Sequence, residues 1–343
     1  MLGLYDAKYG FTCCEEETRR LLFSALLRQT KVVILHAFSP LFVENFLHSF
    51  AQKYQNISQE HIQGKKKYVP NSLHRCKYTG NAYLCRYETR KTHFPMPTIT
   101  PDPGSSRSKT QQVREMFDRI SGHYDFLNHF LSWGIDVLWR KKLVKIAQPA
   151  RGGRILDIAT GTGDQAIMLA EKLAPQRIDA VDLSEKMMDF GREKVRKKGL
   201  EEKIFFQRAD CQSLPFGHNT FDLATVSFGV RNFENLAQSL SEIHRVLKPG
   251  GMLLILEFSY PTRFPIRQLY TFYTRYILPA VGRIVSRDAR AYTYLPESIR
   301  AFPAGRSFTN LLRADGFLAT RFLPLTGGIA TIYSALKPRQ ELR

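Results

Sequence analysis

The chain has 343 residues, enough for one large domain or two smaller ones, and 50 Lys+Arg against 31 Asp+Glu give it a formal charge of +19. That excess favours anionic surroundings such as nucleic acid, anionic lipid or an acidic partner, and it speaks to steering rather than to fold. The five cysteines, Cys13, Cys14, Cys76, Cys85 and Cys211, form no C-x-x-C pair, and no apolar run approaches the ~20 residues of a membrane-spanning helix, which argues against zinc ribbons, dithiol redox motifs and integral membrane proteins.

Composition changes near residue 96. Residues 1–95 hold five of the nine histidines and four of the five cysteines. The stretch "EEETRRLLFSALLRQTKVVILHAFSPLFVENFLHSFAQKY" predicts a helix, a strand and a second helix, without a glycine loop or a metal spacing. This N-terminal extension has no assigned function, and Met96 offers an internal start that would leave it untranslated. Residues 96–108, "MPTITPDPGSSRS", read as a Pro- and Ser-rich linker, 109–338 as the functional domain and 339–343 as a tail. The start of the chain lacks a signal peptide's basic head and apolar stretch, and "CCEEET" is too acidic for a transit sequence, so the expected location is the cytoplasm.

From residue 109 apolar residues recur at helical spacing, with breaks at Ser121-Gly122 and at Gly134 that predict two or three helices. Strand and helix patterns then alternate: "RILDIA", "DQAIMLAEKLA", "RIDAVDL", "SEKMMDFGREKVRKKG", "KIFFQRAD", "FDLATVSF", "NLAQSLSEIHRVL" and, after a Pro-Gly-Gly turn, "GMLLILEFS". A helical insert precedes two final strands, "FLATRFLPL" and "GIATIYSAL". The expected fold is α/β, a doubly wound and mostly parallel seven-stranded sheet of the Rossmann-like kind, with helices on both faces.

Gly161-Thr162-Gly163-Asp164-Gln165-Ala166 fits G-x-G-x-x-[GA] between a strand and a helix, a loop that several nucleotides share. Asp182 ends the second strand about twenty residues on, where an acid grips ribose hydroxyls. Asp164 discriminates. An aspartate about 4 Å from a dinucleotide's phosphate opposes binding by roughly 4 kcal/mol at an effective dielectric of 20, more than the ~1 kcal/mol a helix dipole returns. S-adenosylmethionine has no phosphate and carries a sulfonium and an ammonium, so the same acid attracts it. Asp157, Asp164, Asp182 and Asp210 together place four acids along the ligand-binding edge of one sheet. Taken singly, Asp164 also reads as a first-turn helix acid and Asp157 as a strand-end residue bonded to backbone.

"LDIATGTGD", "VDLS", "RADCQSLPF" and "HRVLKPGG" together resemble a class I S-adenosylmethionine-dependent methyltransferase. "YDFLNHFLSWGIDVLW" and "RVLKPGGMLLILEFS" are similar to the two signatures of the UbiE/MenG family, which C-methylates polyprenylated quinols, and the likeness runs from about 110 to 337. A histidine often stands in that family where this chain has Asp136, a departure read here as a packing variant. The resemblance implies that Thr162 contacts the methionine part of the cofactor, Asp182 the ribose, Asp210 and Cys211 the adenine, and Ser227 the donor end, with Gly161 and Gly163 allowing close approach. Cys211 itself reads as a small buried residue, since no thiol nucleophile is needed.

The implied reaction methylates demethylmenaquinol, or alternatively 2-methoxy-6-polyprenyl-1,4-benzoquinol. It needs an oriented quinol and a path for its proton. Arg231 and Asn232 in "FGVRN" follow the fourth strand and are candidates to hold the phenolate; Tyr124 and Asp125 are placed to close over the ring, and His123 or Asp125 are candidate bases. No metal is expected. The insert "RFPIRQLYTFYTRYILPAVGRIVSRDAR" is dense in aromatics with arginines between, which suits a prenyl tunnel and peripheral contact with anionic membrane through Arg267, Arg275, Arg283 and Arg287, or else a capping helix with snorkelling arginines. A homo-oligomer is compatible with all of this. A nucleic-acid methyltransferase is the rival suggested by charge, but "SFGVRN" stands where an [ND]-P-P-[YF] stretch would be, and no nucleic acid is expected. A cofactor-binding protein without catalysis is the other rival, and the acceptor-side polar residues are retained against it.

Overall fold

The computed structural model describes residues 99–125, 132, 134–278 and 289–339, with the backbone of a short antiparallel hairpin, Lys77–Thr79 against Ala82–Leu84. The helix, strand and helix expected between residues 15 and 54 lie outside the described residues. The chain divides into two units, Met1–Tyr87, which holds the hairpin, and Glu88–Arg343.

The second unit is built on seven strands: β1 (Arg154–Ile158), β2 (Arg177–Asp182), β3 (Ile204–Arg208), β4 (Phe221–Ser227), β5 (Leu247–Phe258), β6 (Leu318–Leu325) and β7 (Ala330–Leu336). Their order is β3-β2-β1-β4-β5-β7-β6. The first five run parallel, and β7 pairs antiparallel with both β5 and β6. This is the doubly wound, mostly parallel sheet expected from the alternation of strand and helix patterns. Because β2 and β4 flank β1 and their connections leave on opposite sides, the loops after β1, β2, β3 and β4 open a crevice at one edge of the sheet.

Eight helices accompany the sheet in the described residues: α1 (Lys109–Ile120), α2 (Ile135–Ile146), α3 (Asp164–Leu173), α4 (Glu185–Lys197), α5 (Leu236–Val246), α6 (Ile266–Phe272), α7 (Ala289–Ala301) and α8 (Arg306–Ala314). Local sequence sets their starts. The side chains of Ser108, Ser184 and Asn235 accept from the backbone N–H of Gln111, Met187 and Gln238, satisfying donors that a helix N-terminus leaves open. Gly134 ends the preceding turn at φ 71° before α2 begins.

Alternation along the strands splits the core. Leu156, Ile158, Val226 and Leu253 pack with Leu240 and Ile243 of α5 and Phe308 and Leu312 of α8. Ile155, Leu223 and Leu254 pack with Leu143 of α2, Leu169 of α3 and Val195 of α4. One boundary differs from expectation. β5 begins at Leu247, which pairs with Phe221, and pairing resumes at Leu223 with Met252, so the Pro-Gly-Gly segment is a bulge within the strand rather than a turn ahead of it.

Candidate active site

The loop after β1 rests on a buried acid. Asp157 is 1% exposed and accepts from Thr160 Oγ1 at 2.7 Å and from Thr225 Oγ1 at 2.6 Å, which ties β1 to β4 beneath the loop. Burial raises its pKa to about 6, against the lowering effect of both hydrogen bonds and of Arg140. Above it, Gly163 holds φ 78° and a Cβ there would stand 3.0 Å from the Phe206 ring, so a side chain is excluded by both backbone and neighbour.

Thr162 donates to Asp125 Oδ1 at 2.5 Å, and Lys194 on α4 donates to Asp125 Oδ2 at 2.8 Å and to Asp164 Oδ1. This changes the electrostatic argument made for Asp164. Its charge is paired by a lysine thirty residues downstream, so it is not a bare acid facing the ligand, and neither Asp164 nor Asp125 lines a cavity of the site. Both belong to a latch that holds the end of α1's extension against the glycine loop.

The crevice itself contains a cavity whose wall includes Tyr124, Gly161, Asp182, Asp210, Cys211, Ser227 and Asn232, seven of the expected residues in one place. Asp182 accepts from the N–H of Gly161 at 2.8 Å and of Ser184 at 2.9 Å, and burial raises its pKa despite these bonds. Asp210 accepts from Gln212 N–H at 2.9 Å. Burial pushes the Cys211 thiol up to about 12, which keeps it protonated beside Ser239 Oγ at 3.2 Å, in line with a packing role. Ser227 Oγ donates to Gln165 Oε1 at 3.3 Å. Asp182, Asp210 and Glu234 line this cavity against the single cation Arg114, so its field suits a positively charged nucleoside and opposes a phosphate. The acids on this wall are Asp182, Asp210 and Glu234, and Asp164 is not among them.

Helix α1 roofs the cavity through Thr110, Val113 and Phe117. Its first turn is fastened to the loop after β4: Lys109 Nζ donates to the carbonyls of Arg231 at 3.1 Å and Phe233 at 3.2 Å, and Thr110 N–H donates to Glu234 at 3.0 Å. Burial and the nearby Arg231 lower the Lys109 pKa to about 8. Sequence reading missed Lys109 because its partners are backbone carbonyls more than a hundred residues away, which no local spacing signals.

A second cavity adjoins the first, and Phe117, Tyr124 and Phe228 line both. It is aromatic, with Trp139, Phe258, Tyr270, Tyr273 and Tyr294 in its wall. Phe228 adopts φ 59°, a left-handed conformation that costs a bulky residue about 1–3 kcal/mol and here sets its ring between the cavities, stacked on Phe258 at 4.4 Å. Gly229 follows at a close approach, where a Cβ would meet that of Ala159 at 2.5 Å.

Arg231 lines this aromatic cavity, its side chain 6% exposed, with Nη1 2.8 Å from Glu257 Oε1 and also donating to the Phe228 carbonyl. Burial works against its charge, yet Glu257 holds the guanidinium above its ordinary pKa. Asn232 turns toward the first cavity, its Oδ1 accepting from Tyr294 OH at 3.0 Å. Burial raises Tyr270 and Tyr294 to about 12, so both are neutral at physiological pH. The side chain of His123 lies outside what is described. Asp136, expected as a packing variant, is 3% exposed and lines the aromatic cavity with Ser132 and Arg140. Among the described residues no three His, Cys, Asp or Glu gather as a metal site.

Residues 105–337 match the ubiE/COQ5 methyltransferase family. A demethylmenaquinone methyltransferase of Bacteroides fragilis is 48% identical over 245 residues, covering 71% of this chain and 100% of that protein. A Porphyromonas gingivalis protein of the same name is 45% identical over 67% of this chain and 94% of its own length. A ubiquinone/menaquinone biosynthesis C-methyltransferase UbiE of Geotalea uraniireducens is 44% identical, covering 66% and 96%. With a family match over most of its length and relatives this similar along their full extent, on a sheet whose crevice holds an anionic pocket beside an aromatic one, the chain belongs to the ubiE/COQ5 methyltransferase family.

Proposed function

We infer that this S-adenosylmethionine-dependent methyltransferase C-methylates demethylmenaquinol, the donor occupying the anionic cavity and the quinol ring the aromatic one. The observation that carries this reading is the shared wall of Phe117, Tyr124 and Phe228, which lets two ligands of opposite character meet across one boundary. Asp182 and Asp210 would hold the nucleoside, with Ser227 and Asn232 nearer the reacting end. S-adenosylmethionine, when bound, supplies a methyl group on a sulfonium. The protein's own contribution is orientation, exclusion of water by the α1 roof, and stabilisation of the oxygen from which the quinol loses its proton. Arg231 is the candidate for that last task, because its charge is fixed at neutral pH and Tyr124 and Tyr294 face it. Tyr270 and Tyr294 serve as donors and not as bases, their pKa values being raised by burial.

Quinone profiling of a deletion strain tests the acceptor. Accumulated demethylmenaquinone, cleared when the chain is restored, supports the reading; accumulated 2-methoxy-6-polyprenyl-1,4-benzoquinol assigns the benzoquinol instead, and an unchanged profile sinks both.

A polyprenylated acceptor sits in a bilayer, and the segment around α6 is shaped to meet one. No described helix is long and apolar enough to cross a membrane. Phe264, Leu269, Phe272 and Tyr276 are 42%, 40%, 39% and 56% exposed, with Arg267 and Arg275 on the same segment. Apolar side chains beside arginines favour peripheral contact with an anionic surface. Arg283 and Arg287 lie outside the described residues. Changing all four arginines to Ser is expected to abolish sedimentation with anionic liposomes while activity on a soluble short-tailed quinol persists. Undiminished sedimentation would remove the membrane role.

A further inference from the structure

Two buried guanidiniums line the aromatic cavity, and each keeps one N–H without a hydrogen-bond partner among the described residues: Arg231 Nε and Arg140 Nε. A buried donor left open costs free energy unless a ligand completes it. Arg231 has its Nη1 committed to Glu257 and to the Phe228 carbonyl. Arg140 has a different setting. It is 8% exposed, lies 5.2 Å over the Phe228 ring that divides the two cavities, and its Nε stands 3.9 Å from Asp136 Oδ2, beyond hydrogen-bond length. Asp136 Oδ1 in turn accepts from Ser132 Oγ at 2.7 Å. Asp136 and Arg140 lie four residues apart on α2, the spacing that brings side chains to one helical face, and Ser132, in the turn before the helix, reaches Asp136 through its hydroxyl.

A hydroxyl group placed beside this Asp136–Arg140 pair, on the cavity side, can reach both charges. Its oxygen can accept from Arg140 Nε while its hydrogen is donated to the carboxylate of Asp136. A 1,4-quinol carries two such groups on opposite ring carbons, and the cavity offers two guanidiniums with an unspent N–H. We propose that Ser132, Asp136 and Arg140 form a second hydroxyl subsite for the acceptor ring, distinct from the Arg231 pole, which selects a diol over a mono-ol. This rests on the aromatic cavity being the acceptor site. Asp136 is the one carboxylate in that cavity's wall among the described residues, so its role is not duplicated.

Binding reads the subsite without relying on turnover. With S-adenosylhomocysteine present, affinities are measured for a short-tailed 1,4-naphthalenediol and for the two naphthols that each lack one hydroxyl. The wild-type chain is expected to bind the diol at least about tenfold more tightly than either naphthol, since a site built for a hydroxyl rejects the analogue lacking it. Asp136→Ala and Arg140→Met are expected to bring the diol within about twofold of one naphthol while preserving discrimination against the other, with affinity for S-adenosylhomocysteine unchanged. Where either variant loses that affinity and so its fold, Asp136→Asn and Ser132→Ala, which keep the packing, are expected to shift the same ratio in the same direction. Equal weakening of all three compounds, or an unchanged ratio, overturns the assignment. Failure of the wild-type chain to bind the diol at all would instead overturn the acceptor site itself.

Discussion

Replacing Arg231 with Ala is expected to abolish methyl transfer and to destabilise the fold together, and the two losses have separate causes. Glu257 is 0% exposed and Arg231 is its cation at 2.8 Å, with the Arg231 backbone N–H on the other carboxylate oxygen at 3.1 Å. Removing the guanidinium strands a buried carboxylate, which costs about 3–5 kcal/mol. Losing a fixed charge aimed at the acceptor oxygen lowers kcat by roughly 100- to 1000-fold. The double variant Arg231→Met/Glu257→Leu separates them. Replacing a buried ion pair by apolar residues of similar volume is close to neutral or stabilising, so its melting temperature is expected to return near the wild-type value. Its turnover is not expected to return, and its affinity for S-adenosylmethionine stays within a few-fold, because Arg231 lines the aromatic cavity and not the anionic one. Recovery of kcat along with stability would make Arg231 a structural residue only.

That pair also marks where sequence reading stops. "SFGVRN" and "ILEFS" both stood out as motifs, yet the contact between Arg231 and Glu257 depends on β4 and β5 being parallel neighbours with Ser227 opposite Leu256. Periodicity gives strands and their order of appearance; it does not give register. The sheet was legible because alternating apolar runs and glycine or proline breaks are local signals. So was the place of Asp182 and Asp210 at the crevice, because strand ends in such a fold lie there whatever the neighbours. Asp164 shows the converse. An acid in the first turn of α3 reads as a ligand-facing charge until Lys194, from α4, is found on it. Lys109 did not stand out, and Asp136 stood out only as a departure from a signature, for a related reason. The meaning of each depends on what a distant segment brings opposite, carbonyls of the β4 loop in one case and an aromatic cavity in the other.

Asp182→Ala is expected to weaken S-adenosylmethionine binding by roughly 100-fold or more. A carboxylate is an acceptor only, and Asp182 spends part of its capacity on the N–H groups of Gly161 and Ser184. Asp182 lines the cavity, where two ribose hydroxyls would each contribute about 1.5–3 kcal/mol through a charged hydrogen bond to its remaining acceptor capacity. The pH dependence follows from burial, which raises this carboxyl above its ordinary 3.8. A raised pKa means that the folded chain holds the proton more tightly than the unfolded chain. The group's contribution to apo stability therefore falls as pH rises from 3.8 through the folded value. Binding runs the other way, since protonation removes an acceptor: affinity is expected to fall on acidification through the folded pKa, beginning above the range of an exposed aspartate. Asp182→Asn, which keeps one acceptor and never ionises, is expected to bind weakly with neither slope. Calorimetric titration with S-adenosylmethionine across pH, beside melting curves of the apo protein, reads both. Wild-type affinity in Asp182→Ala would remove the ribose contact and shift the anchoring of the nucleoside to Asp210.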